Sequence, residues 1–384
     1  MKILHIATLF SPDGAYGGPT RVATNLSAEL MRRGHDVTIA GACEGYDTPP
    51  TSVEGVPAWL YPSKAVPGLG VAGLSSPALV RRLVKDIDEF DVVHVHMSRE
   101  FVTLPAALVA RRAGVPYVLQ THGMIDPSEK LLARPLDAMA TRPVLESASN
   151  ILYLTGTERA QIIQVSEYCA PLTRLRNGVP GYAASTSVGG VDAASHPEVL
   201  YLARLHPRKR PEVFVRVARR LLDAGVRATF TVVGPDGGCE QAVKDAVAEA
   251  NSPYLRYEGP VDPDLVPARI ASSSVYVLPS VDEPYPMSVL EAMSVGRPVV
   301  ITKSCGLAGE VADHGAGYVV DLDDDSLFNA IRSLLDNPDA AARMGRGGQA
   351  ASASTFSMSS VVDDLLGVYD RSVRARRSAR GCVA

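Results

Sequence analysis

The sequence predicts two doubly wound α/β domains joined by a linker. Short apolar runs recur along the chain between stretches of helical periodicity, the pattern of parallel strands covered on both faces. The pattern stops over residues 177–198, NGVPGYAASTSVGGVDAASHPE, which are rich in Gly, Ser and Ala, and then restarts. The chain's 384 residues also exceed what one hydrophobic core usually serves.

The first strand is KILHIATLF (2–10), followed by a glycine-rich loop. A helix is predicted at about 20–33, with Val22, Leu26 and Leu30 on one face and Gly34 as its stop. Strands are predicted at 36–41, 91–96, 116–122 and 150–156, with a short helix near 103–112. Past the linker come strands at 199–205, 228–234, 255–261, 275–280, 298–302 and 317–321, and helices near 210–223 and 239–250. Residues 356–381 read as one terminal helix with a basic tail, Arg374, Arg376, Arg377 and Arg380. The tail is either a solvated helix end or a contact for an anionic membrane surface. In such sheets ligands bind beyond the carboxyl ends of the strands, so the site is expected in the cleft between the domains.

Composition excludes several classes. A hydrophobic content of 46% and a charged content of 21% are ordinary globular values and argue against disorder. A net charge of −4 gives no reason to bind nucleic acid. No apolar run reaches the roughly 18 residues of a membrane span, and Met1 leads straight into a strand, so a cytosolic protein is expected. The five cysteines, Cys43, Cys169, Cys239, Cys305 and Cys382, are scattered, which fits a reducing compartment and offers no zinc pattern.

GLGVAG (68–73) matches the dinucleotide fingerprint GxGxxG, but that fingerprint needs a strand directly before it. Pro62 and Pro67 break any strand close to these glycines, so the stretch reads as a surface loop. SPDGAYGGPTRVATNL (11–26) joins the first strand to the first helix. Gly17 and Gly18 let backbone approach a ligand and Pro19 suits a first helical turn, so the loop is either a phosphate site or a plain tight turn. ARLHPRKRPEV (203–213) puts Arg204 at a strand end and Lys209 at a helix start. That pair would neutralise a departing diphosphate; the alternative is a solvated basic face, and Arg208 and Arg210 are read as pointing to solvent. In EPYPMSVLEAMSVGRPVV (283–300), Ser288 and Glu291 fit a capping box for a helix that Gly296 ends. Glu283 precedes that helix, in a loop. Both carboxylates would then reach the cleft as acceptors for hydroxyl groups beside a helix N-terminus that meets phosphate.

Taken in order, GG at 17–18, THG at 121–123, NGV at 177–179, ARLHPRK at 203–209 and the E-x7-E stretch from Glu283 to Glu291 resemble the retaining GT-B glycosyltransferases of family 4, also called glycosyl transferase group 1. The resemblance covers nearly the whole chain. It implies an N-terminal acceptor-side domain over 1–180, a linker over 181–197, a nucleotide-sugar domain over 198–355, and a terminal helix over 356–384 returning to the first domain. It implies that Glu291 binds the ribose, Glu283 the donor sugar's hydroxyls, and Arg204 and Lys209 the diphosphate. Backbone amides of Met287, Ser288 and Val289 would meet sugar or β-phosphate, and Gly17 and Gly18 would lie against the donor phosphate. His122 would face the reacting sugar, and backbone near Gly234 and 257–261 would read the base.

The implied activity is transfer of a sugar from a nucleotide diphosphate sugar, with UDP ahead of GDP, to a hydroxyl acceptor in envelope polysaccharide, glycolipid or secondary-metabolite assembly. Retention at the anomeric carbon, no cofactor and no metal are implied with it. DLDDD (321–325) contains the DxD of a different, metal-dependent fold, but carboxylates at a helix start account for it. Pro284 and Pro286 stand where the family often has glycine, which stiffens this loop. Two other readings remain open, a nucleotide-sugar epimerase of the same fold and a non-catalytic sugar-nucleotide-binding protein. The oligomeric state is not legible.

Overall fold

The apolar runs form two mainly parallel sheets in a computed structural model that describes residues 1–12, 17–66, 70–128, 133–166, 170–181 and 196–381. The chain divides into two compact units: residues 1–178 with 358–384, and residues 179–357. Most of the expected linker, at 182–195, lies outside the described residues, as do 13–16 of the first glycine-rich loop. So do Pro67, the Gly68 and Leu69 that begin GLGVAG, and two of the cysteines, Cys169 and Cys382.

The first unit is built on eight strands in the order β10-β9-β8-β7-β1-β2-β4-β3. In chain order these are β1 (Lys2–Phe10), β2 (Asp36–Cys43), β3 (Ser52–Val53), β4 (Val56–Pro62), β7 (Val92–His96), β8 (Tyr117–Gln120), β9 (Asn150–Tyr153) and β10 (Leu172–Arg174). A small separate hairpin supplies β5 (Lys64–Ala65) and β6 (Leu74–Ser75). Among the described residues only β3 runs antiparallel to its neighbour in this sheet. The helices are α1 (Gly17–Arg32), α2 (Pro77–Asp86), α3 (Thr103–Arg112), α4 (Ala133–Leu136), α5 (Arg142–Ser147) and α6 (Gly156–Val165). Gly34, at φ 83, ends α1 as expected, and the α1 stripe Val22, Leu26 and Leu30 is buried.

Strand β4 lies where the sequence predicts none, between the strands at 36–41 and 91–96. The segment VPAWLYP carries prolines at 57 and 62, yet it pairs with β2 from Ala58 to Pro62. Prolines are tolerated near the sheet margin, where fewer ladder bonds are lost. GLGVAG does not follow a strand of the main sheet: the two-residue β5 of the small hairpin precedes it, and residues 70–73 form a single 3₁₀ turn where the fingerprint opens an α-helix.

The second unit holds six parallel strands, β11 (Glu198–Leu202), β12 (Thr229–Val233), β13 (Leu255–Tyr257), β14 (Val275–Leu278), β15 (Val299–Thr302) and β16 (Gly317–Val320). Their order is β13-β12-β11-β14-β15-β16. That is third-second-first-fourth-fifth-sixth, the Rossmann order, with its switch point between β11 and β14. The helices are α7 (Pro211–Asp223), α8 (Glu240–Ala250), α9 (Val266–Ala271), α10 (Met287–Ser294), α11 (Ala308–Asp313), α12 (Asp324–Asp336) and α13 (Pro338–Ser354). Strand β13 stops at Tyr257, short of the expected 261. The chain then returns to the first unit as α14 (Met358–Gly381), which buries Val361, Val362, Leu365, Val368 and Tyr369. Arg374 and Arg377 are exposed on it. Among the described residues no helix is long and apolar enough to cross a membrane.

Both sheets reverse their strand order beside their first strand. In the first unit β1 lies between β2 and β7, so the loops after β1 and β7 flank the switch point, with the loop after β8 next in line. In the second unit the corresponding loops follow β11 and β14. His122, Arg204, Lys209, Glu283 and Glu291 lie on these loops or on the helix that follows, while Gly234 lies after β12.

Candidate active site

In the second unit, the chain leaving β11 passes close under the turn after β12. Gly234, at φ 149, lies so near that a Cβ there would meet the Ala203 carbonyl oxygen at 1.9 Å. Gly237 likewise packs on the Arg204 side chain, where a Cβ would come within 2.7 Å of its Cγ. These two glycines set the backbone at 203–205 and the start of the Arg204 side chain. Arg204 is exposed, and its guanidinium has no hydrogen bond or ion pair among the described residues.

Lys209 lies in a 3₁₀ turn, Pro207–Lys209, directly before α7. Its Nζ makes an ion pair of 2.7 Å with Glu283 Oε1, and both side chains are largely buried, at 20% and 13% exposed. The sequence assigns these two groups to separate ligand parts and does not show that they meet. Backbone bonds hold the pair in place: the Val281 amide donates to the Arg208 carbonyl at 2.8 Å and the Gly306 amide to the Glu283 carbonyl at 2.8 Å. Arg210 does not point to solvent. It occupies the left-handed region at φ 53, and its guanidinium donates to the Leu322 carbonyl at 2.9 Å and the Pro279 carbonyl at 3.4 Å.

Helix α10 begins at Met287 with Pro286 in the cap position, and no side chain caps it. The expected capping box is therefore absent. Ser288 is already inside the helix, and its hydroxyl bonds the Tyr276 hydroxyl at 2.7 Å. Tyr276, on β14, also donates to the Leu202 carbonyl at 2.9 Å, tying the ends of β11 and α10 across the switch point. Burial pushes its pKa up. The Val289 amide donates to the Pro286 carbonyl at 3.2 Å, so of the three amides expected to meet the ligand, Val289's is already engaged. Glu291, one turn on, is 2% exposed, and Gly296 at φ 73 ends the helix as expected. The DLDDD carboxylates serve the fold: Asp323 Oδ1 caps α12 through the Ser326 amide at 2.7 Å, Asp324 pairs with Arg216, Asp325 with Arg220 and Asp321 with Lys303. A cavity of about 660 Å³ lined by Arg297, Arg346 and Gln349 opens by Pro197, Ser274 and Pro298, at the opposite ends of these strands.

In the first unit, Gly17 and Gly18 open α1, and a Cβ on Gly18 would meet nothing within 4 Å. His122 lies two residues past β8, not within a strand, at φ 51, with Gly123 at φ 72 after it. Buried Glu158 of α6 holds that turn. It takes the Thr121 hydroxyl and, at 2.6 Å each, the Gly123 and Leu154 amides. Thr155-x-x-Glu158 is a capping box for α6, with the Glu158 amide donating to Thr155 Oγ1 at 3.1 Å, but nothing local in the sequence shows its reach to the turn, whose partners lie 35 and 37 residues away. The His122 ring stacks on His96 at 5.1 Å, and burial pushes its pKa down to about 3, so it is neutral at neutral pH.

The match to known families decides the identity. Residues 17–178 match the model of the "Glycosyl transferase 4-like domain", and residues 192–351 that of "Glycosyl transferases group 1". The chain belongs to the family 4, group 1 glycosyltransferases. Its two Rossmann-like units are the GT-B architecture. The D-inositol 3-phosphate glycosyltransferase of Acidothermus cellulolyticus is 26% identical to this glycosyltransferase over 99% of the chain and 91% of the relative. Among solved structures, sucrose-phosphate synthase from Thermosynechococcus elongatus superposes with a TM-score of 0.76 at 19% identity, covering 98% of this chain and all of that one. Anabaena HepE in complex with UDP and glucose has a TM-score of 0.76 at 18% identity, covering 96% of this chain and 99% of its own. At those identities the two structures speak for the glycosyltransferase's fold.

Proposed function

We propose that this glycosyltransferase moves a sugar from a uridine diphosphate sugar to a hydroxyl acceptor with retention at the anomeric carbon, without a metal ion. The observation that carries the reading is the Lys209–Glu283 ion pair at the switch point, with the unpaired Arg204 guanidinium in the same set of loops. An ammonium has three donors, so Lys209 keeps one on Glu283 and turns others to a diphosphate oxygen. Arg204 supplies a second cation. Together they neutralise the charge that grows on the leaving diphosphate, the work a divalent cation does in other transferases. The Glu283 oxygen that Lys209 leaves open accepts from a sugar hydroxyl, and Glu291 from the ribose. The Met287 and Ser288 amides, at the start of α10, add the helix dipole.

Neutral His122 serves the reacting sugar as a hydrogen-bonding group. In a retaining transfer of this kind the leaving diphosphate itself takes the acceptor's proton, so the protein contributes position and field more than a base. The UDP in HepE supports uridine as the base, with guanosine next. The acceptor of the Acidothermus relative, an inositol phosphate, supports a small polar hydroxyl compound over a protein acceptor; envelope glycans and glycolipids belong to the same panel. The test is thermal stabilisation by nucleoside diphosphates and their sugars in the presence of chelator. A ligand at a hundred times its dissociation constant adds about 2.7 kcal/mol, a readable shift. A shift with one base, larger with one sugar, is expected. No shift with any of them, or a shift only after metal is restored, would overturn the proposal.

A further inference from the structure

Behind His122 runs a continuous hydrogen-bonded ladder through the core of the first unit. His122 Nε2 lies 2.8 Å from His96 Nδ1, His96 Nε2 lies 3.1 Å from His5 Nδ1, and His5 Nε2 lies 3.2 Å from the Tyr369 hydroxyl. That hydroxyl in turn lies 2.6 Å from His94 Nδ1. The pleat explains the assembly. His94 and His96 share one face of β7, His5 is in register with His94, and Gln120 of β8 is in register with His96. Tyr369 arrives from α14. His5, His94, His96, Gln120 and Tyr369 are all 1% exposed or less.

Each link carries one hydrogen, and each neutral imidazole owns one. Once any link is oriented, all the others follow. The far end sets the direction. Gln120 spends its amide nitrogen on Asn177 Oδ1 at 3.1 Å, which leaves its Oε1 as the acceptor. That Oε1 and His94 Nε2 are both buried with no hydrogen-bond partner among the described residues, and the Gln120 side chain lies close enough to His94 to favour a proton on that ring. His94 therefore presents N–H at Nε2 and accepts at Nδ1 from the Tyr369 hydroxyl. Tyr369 then accepts from His5 Nε2–H, His5 Nδ1 from His96 Nε2–H, and His96 Nδ1 from His122 Nε2–H.

We propose that Gln120, His94, Tyr369, His5 and His96 are positioning residues that lock His122 in the Nε2–H tautomer, so that its Nδ1 is presented as a hydrogen-bond acceptor. Nδ1 has no partner among the described residues. His122 thereby receives a substrate hydroxyl and does not donate to one. The catalytic consequence rests on the assignment of His122 to the reacting sugar; the tautomer does not. His5, His94 and His96 also bring ring nitrogens within 4.8 Å of one another, the grouping a metal ion would need. But the His94 and His96 rings stack at 4.5 Å with only 4° between their planes. Parallel stacked rings keep their in-plane lone pairs in separate parallel planes that do not converge on one point, which suits a ladder and not a shared ion.

The experiment is nitrogen-15 NMR of the full chain with labelled histidine at neutral pH, the His122 signals assigned by loss in His122→Gln. The expected result is one tautomer, with the proton on Nε2. Tyr369→Phe cuts the ladder without changing its packing. It should turn the single His122 tautomer into a mixture and lower kcat about tenfold or more, with donor KM held within about twofold. Gln120→Leu should mix the tautomers too, and Gln120→Glu, which keeps the acceptor, should restore the single form. A wild-type His122 protonated on Nδ1, a tautomer indifferent to both cuts, or stoichiometric uptake of zinc by the three histidines would each overturn the proposal. If the tautomer result holds while no nucleotide sugar is turned over, the functional reading fails and the ladder stands.

Discussion

Lys209 and Glu283 are the residues where the proposed chemistry is most exposed to test. Lys209→Ala should cut turnover about a hundredfold or more, because it removes one of two cations from the leaving group. Folding should weaken as well, because the largely buried Glu283 carboxylate loses its cation, so turnover is compared per folded molecule. Turnover within about threefold of the parent, measured at saturating donor, would end the clamp assignment. Gly234→Ala tests the scaffold instead. Its methyl would meet the Ala203 carbonyl at 1.9 Å and demand a φ of 149 from an L side chain. The expected cost is at least about 2 kcal/mol by denaturant unfolding, and an unchanged midpoint would mean that the crossing at 203–204 is looser than described. Glu291→Ala is not confounded by the loss of a helix cap, because α10 has no side-chain cap to lose.

Among elements, the turn from Thr121 to Met124 depends on α6. Glu158 satisfies the Gly123 amide and the Thr121 hydroxyl there, and the Leu154 amide ahead of its own helix. Glu158→Ala would orphan all three in the core and release two residues held at positive φ, at a cost of about 3 kcal/mol. It should also lower kcat with His122 unmutated; retained stability and rate would show that the turn holds itself. What the sequence discloses follows the same division between local and distant causes. The glycines at 17–18 and 234, the E-x7-E spacing and the strand-end arginine are local patterns, and they are legible. The Lys209–Glu283 pair, separated by 74 positions, is not, and neither is Tyr369 beside His5. The alternation in DVVHVH does place two histidines on one strand face, a period-2 signal that a reading for apolar runs passes over. The capping box fails because the helix takes Pro286 as its cap, two residues before the box requires.

Across the whole molecule, titration should separate the two units. Burial holds His5 neutral, with its pKa down to about 3 from 6.5. A histidine held neutral gives its full stabilisation above 6.5, and loses it as pH falls from there toward 3, because only the unfolded chain takes up the proton. At pH 5 His5 alone costs about 2 kcal/mol, and His94, His96 and His122 are shifted in the same direction. In the second unit the shifted carboxylates are Glu198, where burial pushes up but Arg269, Thr231 and Arg256 together outweigh it, Asp236 and Asp323, held low by the Gly238 and Ser326 amides, and Asp324, held low by Arg216. Their contribution is intact above about pH 4.5 and is lost only below it. Hydrogen exchange at pH 5 against pH 7 should therefore show the first unit losing protection while the second keeps it; equal losses would refute this. The return of α14 to the first unit has another consequence, one of timing. A ribosome adding about 5–20 residues each second must make all of 179–357 before α14 emerges, a delay of roughly ten to forty seconds. Through that interval the nascent first unit has a histidine ladder without its tyrosine and a helix-sized apolar face open to chaperones, while the second unit, continuous in sequence, is free to finish folding first.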